Sequence, residues 1–393
     1  KTNKEVGMLL YGLGCFNLIN SGNGVRDVLL AIRNLLVRSN ETVSVSEAWN
    51  KQTVSMALYG LKNASGDIWG ISELLEVYSL RIATCSERFD PTTMASSLNG
   101  LRNMSTQHEG VLQILRVLLP HLQECTQPLD SVGVANALYG LRCMSSNHVE
   151  VRNVIVAITR HINACTQVLP PKQIGNALYG IRNFSSEHVE VRQLLCAMTV
   201  HINNANSLDA QAIGNSLYGC RNLSTVHVEV RNLLKALIPH AAQCKQQMHN
   251  QEIANALYGM KLMSTEYVEV RDMIRVLTYH VSNVSTTKGR DPFRAQEVGN
   301  LMYGLKNMNS EYIEVRSLVA ALSPIMKNCR EILNTQEISN AFMGLQHMSS
   351  QYSEVRDLLV VLKYHLIEGN ITLSKKLITS MIVGLKNMSR EHI

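Results

Sequence analysis

The sequence predicts an all-α fold, an α-solenoid of about ten helix-turn-helix repeats of ~40 residues. Three observations carry it. A Tyr-Gly pair inside Asn-Ala-Leu-Tyr-Gly-Leu-Arg/Lys-Asn recurs around Gly140, Gly180, Gly219, Gly259 and Gly304, with degenerate copies at Gly12, Gly60, Gly100, Gly344 and Gly384. Successive glycines stand 48, 40, 40, 40, 39, 40, 45, 40 and 40 residues apart, a period that marks a stacked array and argues against a globular enzyme core. Within each period two apolar stripes at helical spacing flank a short polar turn.

The elements follow in order from one representative repeat. In Gln251 to Ser264 the apolar residues are Ile253, Ala256, Leu257, Met260 and Met263, one face of a helix. This helix A is expected to end at Ser264-Thr265, matched by Ser145-Ser146 and Ser185-Ser186, where serine can cap the next helix. Acidic residues such as Glu187 and Glu190 then suit the first turn of a helix B. Helix B reads Val268, Val270, Met273, Ile274 and Leu277 along its apolar face. Pro120, Pro239 and Pro324 share a position near its end, where a missing N–H predicts a stop or kink. A polar linker of about ten residues closes the repeat. The long spacings place insertions within Glu41 to Trp49 and at Ser285 to Asp291, the latter with Lys288 and Arg290. The first repeat is irregular, with Ser21-Gly22-Asn23-Gly24 in place of the usual turn.

Composition agrees with a stacked array. Hydrophobic residues make up 46% of the 393, enough for each repeat to bury a face. The formal charge of +6, from 37 basic and 31 acidic residues, is mildly basic and compatible with a nucleic-acid partner. Of nine cysteines, Cys85, Cys125, Cys165, Cys244 and Cys329 recur at one repeat position. Equivalent residues of neighbouring helices lie roughly 8–10 Å apart, beyond the ~7 Å limit of a disulfide. They read as reduced core residues of an intracellular protein. Asn-x-Ser/Thr at Asn63, Asn103, Asn183, Asn222 and Asn387 belongs to the repeat pattern and reads as helix-end chemistry rather than glycosylation. No apolar run is long enough for a membrane span. The whole of 1–393 reads as one repeat domain. It starts at Lys1 without methionine and stops at Arg390-Glu391-His392-Ile393, where a tenth repeat should begin its second helix, so a fragment of a longer protein is expected.

Two positions of helix A lie opposite its apolar face, seven residues apart and hence on one line. Four before the glycine stand the leading asparagines Asn136, Asn176, Asn215, Asn255, Asn300 and Asn340, with Met56 and Ser96 in earlier repeats. Three after it stand the trailing residues Asn63, Asn103, Cys143, Asn183, Asn222, Leu262, Asn307, His347 and Asn387. Two after the glycine runs a basic rail of Lys62, Arg102, Arg142, Arg182, Arg221, Lys261, Lys306 and Lys386, interrupted by Gln346. Tyr139, Tyr179, Tyr218, Tyr258 and Tyr303 are expected to pack on the next helix A near its glycine, which permits close approach. In αα-solenoids helix A commonly lines the concave surface, so amides and cations would share a groove. There amides can meet base edges and cations can meet phosphates. The leading row is too uniform to read sequence; the trailing row varies and is the better base-reading candidate. A purely structural asparagine ladder, a solvated basic face and an acidic protein partner remain open alternatives.

The Glu-Val-Arg triplets (Glu150/Arg152, Glu190/Arg192, Glu229/Arg231, Glu269/Arg271, Glu314/Arg316, Glu354/Arg356) open helix B. Residues two apart do not face each other on a helix, so each Glu is expected to pair with an Arg of a neighbouring repeat. Histidines form two rows, His108, His148, His188 and His227, then His121, His161, His201, His240 and His280. A full repeat between equivalents keeps them from converging on one metal ion. The sequence carries no Cys-x-x-Cys, nucleotide-binding glycine loop or nucleophile motif, and neither catalysis nor a cofactor is expected.

Ile213-Gly214-Asn215-Ser216-Leu217-Tyr218-Gly219 and Leu233-Leu234-Lys235-Ala236-Leu237 resemble the two helices of octotricopeptide repeats and their heptatricopeptide and FAST-kinase-like relatives, often followed by a RAP domain. The likeness covers nearly the whole chain, with Tyr-Gly where Trp-Ala is usual and with a Glu-Val-Arg start to helix B that the family pattern lacks. It implies an organellar RNA-binding protein, of a mitochondrion ahead of a plastid. The implied roles are transcript stabilisation, processing, translation, or holding ribosomal RNA in a ribosome or other ribonucleoprotein. The first expectation is therefore a non-catalytic binder of single-stranded RNA, about one nucleotide per repeat, with other ribonucleoprotein subunits as partners and no small-molecule substrate. The rival is a protein-binding scaffold whose asparagines hold an extended peptide.

Overall fold

Each anchoring glycine ends a short helix, and the glycine itself explains the stacking. A Cβ on Gly140 would collide with the Leu98 carbonyl one repeat back, and a Cβ on Gly259 with that of Leu217. Neighbouring A helices thus meet backbone to backbone at this point, which only glycine permits. The computed structural model describes residues 3–15, 23–38, 48–65, 67–68, 70–286, 291–369, 371–389 and 391. Both expected insertions fall wholly or largely outside these residues, as do Ser21-Gly22 and most of the final four positions.

The described residues contain nineteen α-helices and no strand. They run α1 (Asn3–Gly12), α2 (Asn23–Arg38), α3 (Lys51–Gly60), α4 (Ile71–Ala83), α5 (Pro91–Gly100), α6 (Glu109–Glu124), α7 (Ser131–Gly140), α8 (Val149–Ala164), α9 (Pro171–Gly180) and α10 (Val189–Asn203). Then follow α11 (Ala210–Gly219), α12 (Val228–Gln243), α13 (Asn250–Gly259), α14 (Val268–Thr286), α15 (Ala295–Gly304), α16 (Ile313–Lys327), α17 (Thr335–Gly344), α18 (Ser353–Glu368) and α19 (Lys375–Leu385). The chain forms two compact units, Lys1–Met198 and Thr199–Ile393, divided within α10. Each is an α-solenoid of two layers. In the first, α1, α3, α5, α7 and α9 stack in turn as the A layer, and α2, α4, α6 and α8 as the B layer. In the second, α11, α13, α15, α17 and α19 form the A layer, and α12, α14, α16 and α18 the B layer.

Most A helices have ten residues, too few to persist alone in water; caps and burial hold them. Asp90, Asp130 and Asp209 accept N–H bonds from Thr93, Gly133 and Ala212. Glu252, Glu297 and Glu337 reach back to the N–H of His249, Arg294 and Asn334. The expected face is the core: Ile253, Ala256, Leu257, Met260 and Met263 are all fully buried. In helix B, Val270, Met273, Ile274 and Leu277 are buried, but Val268 is 53% exposed because it sits in the first turn before the face forms.

Four local expectations change. Helix A ends at its glycine, as α13 does at Gly259, and not at Ser264-Thr265; a tight turn follows. The prolines do not stop helix B: α6, α12 and α16 continue to Glu124, Gln243 and Lys327. So near the end, a proline removes one backbone bond and leaves the remaining turn to be held by packing. The serines after helix A do not cap helix B. The cap positions are His108, His148, His227, Tyr312 and Tyr352, without a side-chain cap bond. Instead a buried hydroxyl bridges repeats: Thr106 Oγ1 accepts from the Ser145 N–H at 3.1 Å, Ser146 Oγ from Ser185 at 2.8 Å, Thr225 Oγ1 from Ser264 at 3.0 Å and Ser310 Oγ from Ser349 at 2.9 Å. Finally, the tyrosines pack on one another rather than on the next glycine, which the preceding repeat's carbonyl already covers.

Candidate nucleic-acid interface

The tyrosine lies one residue before the glycine, so the close helix approach brings equivalent rings together. In the first unit Tyr11 stacks on Tyr59 with centroids 5.7 Å apart, and Tyr139 on Tyr179 at 6.0 Å. In the second, Tyr218, Tyr258 and Tyr303 form a column with both spacings 5.8 Å. One turn on, six of the rail cations lie against their own repeat's ring. Lys62 sits 4.4 Å from the Tyr59 centroid, Arg142 4.4 Å from Tyr139 and Arg182 4.5 Å from Tyr179. Arg221, Lys261 and Lys306 sit 4.9, 4.6 and 5.6 Å from Tyr218, Tyr258 and Tyr303. Lys386, in a repeat with Val383 at the ring position, is exposed.

The trailing asparagines hold neighbouring repeats together. The Nδ2 groups of Asn63, Asn103 and Asn183 donate to the carbonyls of Gly14, Lys62 and Arg142 at 2.9, 2.9 and 3.0 Å. Asn387 does the same to Gln346 at 2.9 Å. Their other end receives the next rail residue: Arg102 Nη2 donates to Asn63 Oδ1 at 3.1 Å and Arg142 Nη2 to Asn103 Oδ1. Arg142 Nε also donates to the Arg102 carbonyl, and its Nη1 to the Tyr139 hydroxyl. At Cys143 the sulfur takes the Arg182 bond at 3.5 Å, and at Gln346 an amide donates to Asn307 Oδ1 at 3.2 Å. The trailing amides of Asn63, Asn103, Asn183 and Asn387 therefore act as inter-repeat bridges, the structural alternative. Asn222 continues the row and is half-buried. Leu262 is half-buried and His347 exposed; burial and the Lys386 charge lower the His347 pKa.

The leading asparagines differ. Asn136, Asn176, Asn215, Asn255 and Asn300 are half-buried, yet their side-chain amides make no hydrogen bond among the described residues. Asn340 accepts one from Gln336 at 2.8 Å. In the first unit an open pocket of about 410 Å³ brings Asn136 and Asn176 together with Arg102 and Arg142. The two rows read from the sequence thus share one surface there, but only one of them offers unoccupied amides.

Electrostatics set the rail apart. Lys62, Arg102, Arg142, Lys261 and Lys306 make no ion pair with a carboxylate among the described residues. Burial, then the adjacent Arg142 charge, lowers the Arg102 pKa. Burial, then Arg221 and Lys306, brings Lys261 down to about 8. The carboxylates lie elsewhere, against other arginines: Glu150 pairs with Arg116 at 2.7 Å and Glu314 with Arg275 at 2.8 Å. Within the triplets, Arg152 Nε approaches Glu190 of the following repeat at 3.6 Å, as expected. Each triplet arginine has a further role that the sequence reading missed. Arg152 Nη1 donates to the Ser146 and Asn147 carbonyls, both at 2.9 Å, tying the turn before helix B, and Arg271 and Arg316 repeat this.

The second histidine row is structural. His240, His280 and His365 place Nε2 at 3.0, 2.9 and 3.1 Å from the carbonyls of Ile202, Ala241 and Met326 in the preceding B helix. His121 stacks on Phe89 at 4.5 Å, and burial lowers its pKa. The repeat-position cysteines are free, with Cys85, Cys125, Cys165 and Cys329 buried and Cys244 half-buried. No described helix is long and apolar enough to cross a membrane. No protein-family model matches the chain, and a search of the curated proteins found no match.

Proposed function

We propose that the chain binds single-stranded RNA along the basic rail as a non-catalytic repeat protein of an organellar ribonucleoprotein. One observation carries this reading: Lys62 and Arg142 in the first unit, and Lys261 and Lys306 in the second, lie on tyrosine rings and make no ion pair with a carboxylate among the described residues. Burial first, and then the Arg221 and Lys306 charges, bring Lys261 down to about 8. A polyanion relieves the repulsion among these charges, and RNA adds bases for the unoccupied leading amides. Mitochondrial location and a role in RNA holding, stabilisation or translation follow the repeat resemblance.

The test uses substitutions the fold already accommodates. Gln346 stands at a rail position and still bonds the trailing amide of Asn307. Arg102→Gln, Arg142→Gln and Arg182→Gln together should therefore remove charge while keeping an amide bridge available. Anisotropy with a fluorescent random-sequence RNA across a salt series should show weaker binding, with the log–log salt slope smaller by about 2, near 0.7 per lost phosphate contact. Equal affinity and slope in wild type and triple variant would show that the rail is not the binding surface. Absence of RNA binding by the wild type at low salt would move the leading amides to the peptide-scaffold reading.

A further inference from the structure

The tyrosine column of the first unit has one gap. Asn99 stands at the ring position of its repeat, between the positions of Tyr59 and Tyr139. Its side chain ends short of the space that a phenol ring occupies in neighbouring repeats. The pocket of about 410 Å³ opens there, within the size range of small-ligand sites. Five asparagines, two arginines and Tyr139 line it, with no carboxylate.

The lining has unused capacity. Lys62, Arg142 and Arg182 each lie against their own repeat's ring; Arg102, one turn after Asn99, has no such ring beneath it. Arg102 has no carboxylate partner among the described residues, and its Nη2 is tied to Asn63. Asn99 Oδ1 is shielded from water without a hydrogen-bond partner. Asn136 and Asn176 line the same pocket with amides that bond nothing in the described protein.

Resting on the RNA reading above, we infer that the Asn99 gap is a slot for one nucleobase, which takes the place of the missing ring. The base lies against the Tyr139 face, a contact every base can make. The Arg102 guanidinium covers it as its equivalents cover tyrosine. Asn136 and Asn176 meet its hydrogen-bonding edge, and Arg142 is placed for the attached phosphate. An aliphatic ligand would leave these amides and guanidinia unsatisfied, whereas a bare phosphate would leave the ring space unfilled. The slot also sets a register, since one base is anchored in this repeat while neighbouring repeats already carry a ring.

Wild type, Asn99→Tyr and Asn99→Met are compared for binding and photo-cross-linking with a random single-stranded RNA pool carrying scattered 4-thiouridine. Tyrosine is the common residue at this position and Met343 occupies it in a later repeat, so both replacements suit the backbone; circular dichroism melting verifies folding. The wild type should cross-link within the Tyr139 peptide. Both variants should lose that cross-link and bind about tenfold more weakly, the loss of one stacked base. Equal affinity with unchanged cross-linking in all three overturns the slot and leaves rail binding standing. A wild type that binds no RNA at low salt overturns the slot together with the reading on which it rests.

Discussion

Lys261→Met tests whether the rail holds a buried ammonium at a cost in stability. Lys261 Nζ lies 3.4 Å from the Tyr258 hydroxyl and 5.7 Å from the Tyr303 centroid. Burial is the largest cause of its shift, followed by the charges of Arg221 and Lys306 on the flanking repeats, and Lys261 itself makes no ion pair with a carboxylate among the described residues. A fall from 10.5 to about 8 corresponds to about 3 kcal/mol at 1.36 kcal/mol per tenfold change in proton affinity. The ammonium keeps some contact with water, so the part expressed as stability is about 1–3 kcal/mol. The protonated form is the disfavoured one in the fold. Its cost is present in full below pH 8, shrinks between pH 8 and 10.5, and is absent above that range. Methionine removes the cost at every pH. Urea midpoints should therefore place Lys261→Met above wild type at pH 7, with the difference falling as pH approaches 10.5. A difference of the same size at pH 7 and 10.5, or a less stable variant at pH 7, would refute the argument.

Three further outcomes are expected. RNA affinity at constant salt should be about tenfold weaker at pH 9 than at pH 7 as Lys261 loses its proton, and Lys261→Arg should flatten that profile in anisotropy titrations. Gly140→Ala should lower the thermal midpoint by the equivalent of about 3 kcal/mol, since its Cβ meets a main-chain carbonyl that has little room to move; an unchanged midpoint would mean that the A helices separate easily. Asn103→Ala should cost about 1–2 kcal/mol by breaking a bridge with bonds at both ends. Asn136→Ala should stay within about 0.5 kcal/mol in stability yet weaken RNA binding. Equal stability losses for the two would erase the distinction between the rows.

The repeat, its two helices and the need for glycine were legible because each rests on a strong local constraint renewed every period. Ile253, Ala256, Leu257, Met260 and Met263 bury the face that their spacing marks. The distinction between leading and trailing asparagines was not legible. A continuous helix would set both on one line, but helix A ends at its glycine and puts the trailing amide in the turn beyond, beside the preceding repeat's carbonyl. One signal was available: Cys143 at the trailing position keeps a polar atom for the next arginine, as a bridge requires. The serines misled because a hydroxyl before a helix is an ordinary cap, whereas here the following repeat's N–H is closer. The gap at Asn99 was visible as a change of letter, but its meaning needed the ring column, which depends on how closely the glycines let helices approach.

The arginine seats have a consequence for selectivity. A free arginine side chain samples many torsional states, worth about 2 kcal/mol of entropy when all are lost. Arg142 has already lost most of them, clamped by the Tyr139 ring, the Arg102 carbonyl and the Asn103 amide. A ligand arriving there meets charges that have stopped moving, so little further ordering opposes its capture. The same immobility keeps the charges from shifting to follow a strand of different pitch. On the proposed reading, such a surface would act as a fixed comb, favouring polymers whose charges match its teeth over compact polyanions of equal total charge.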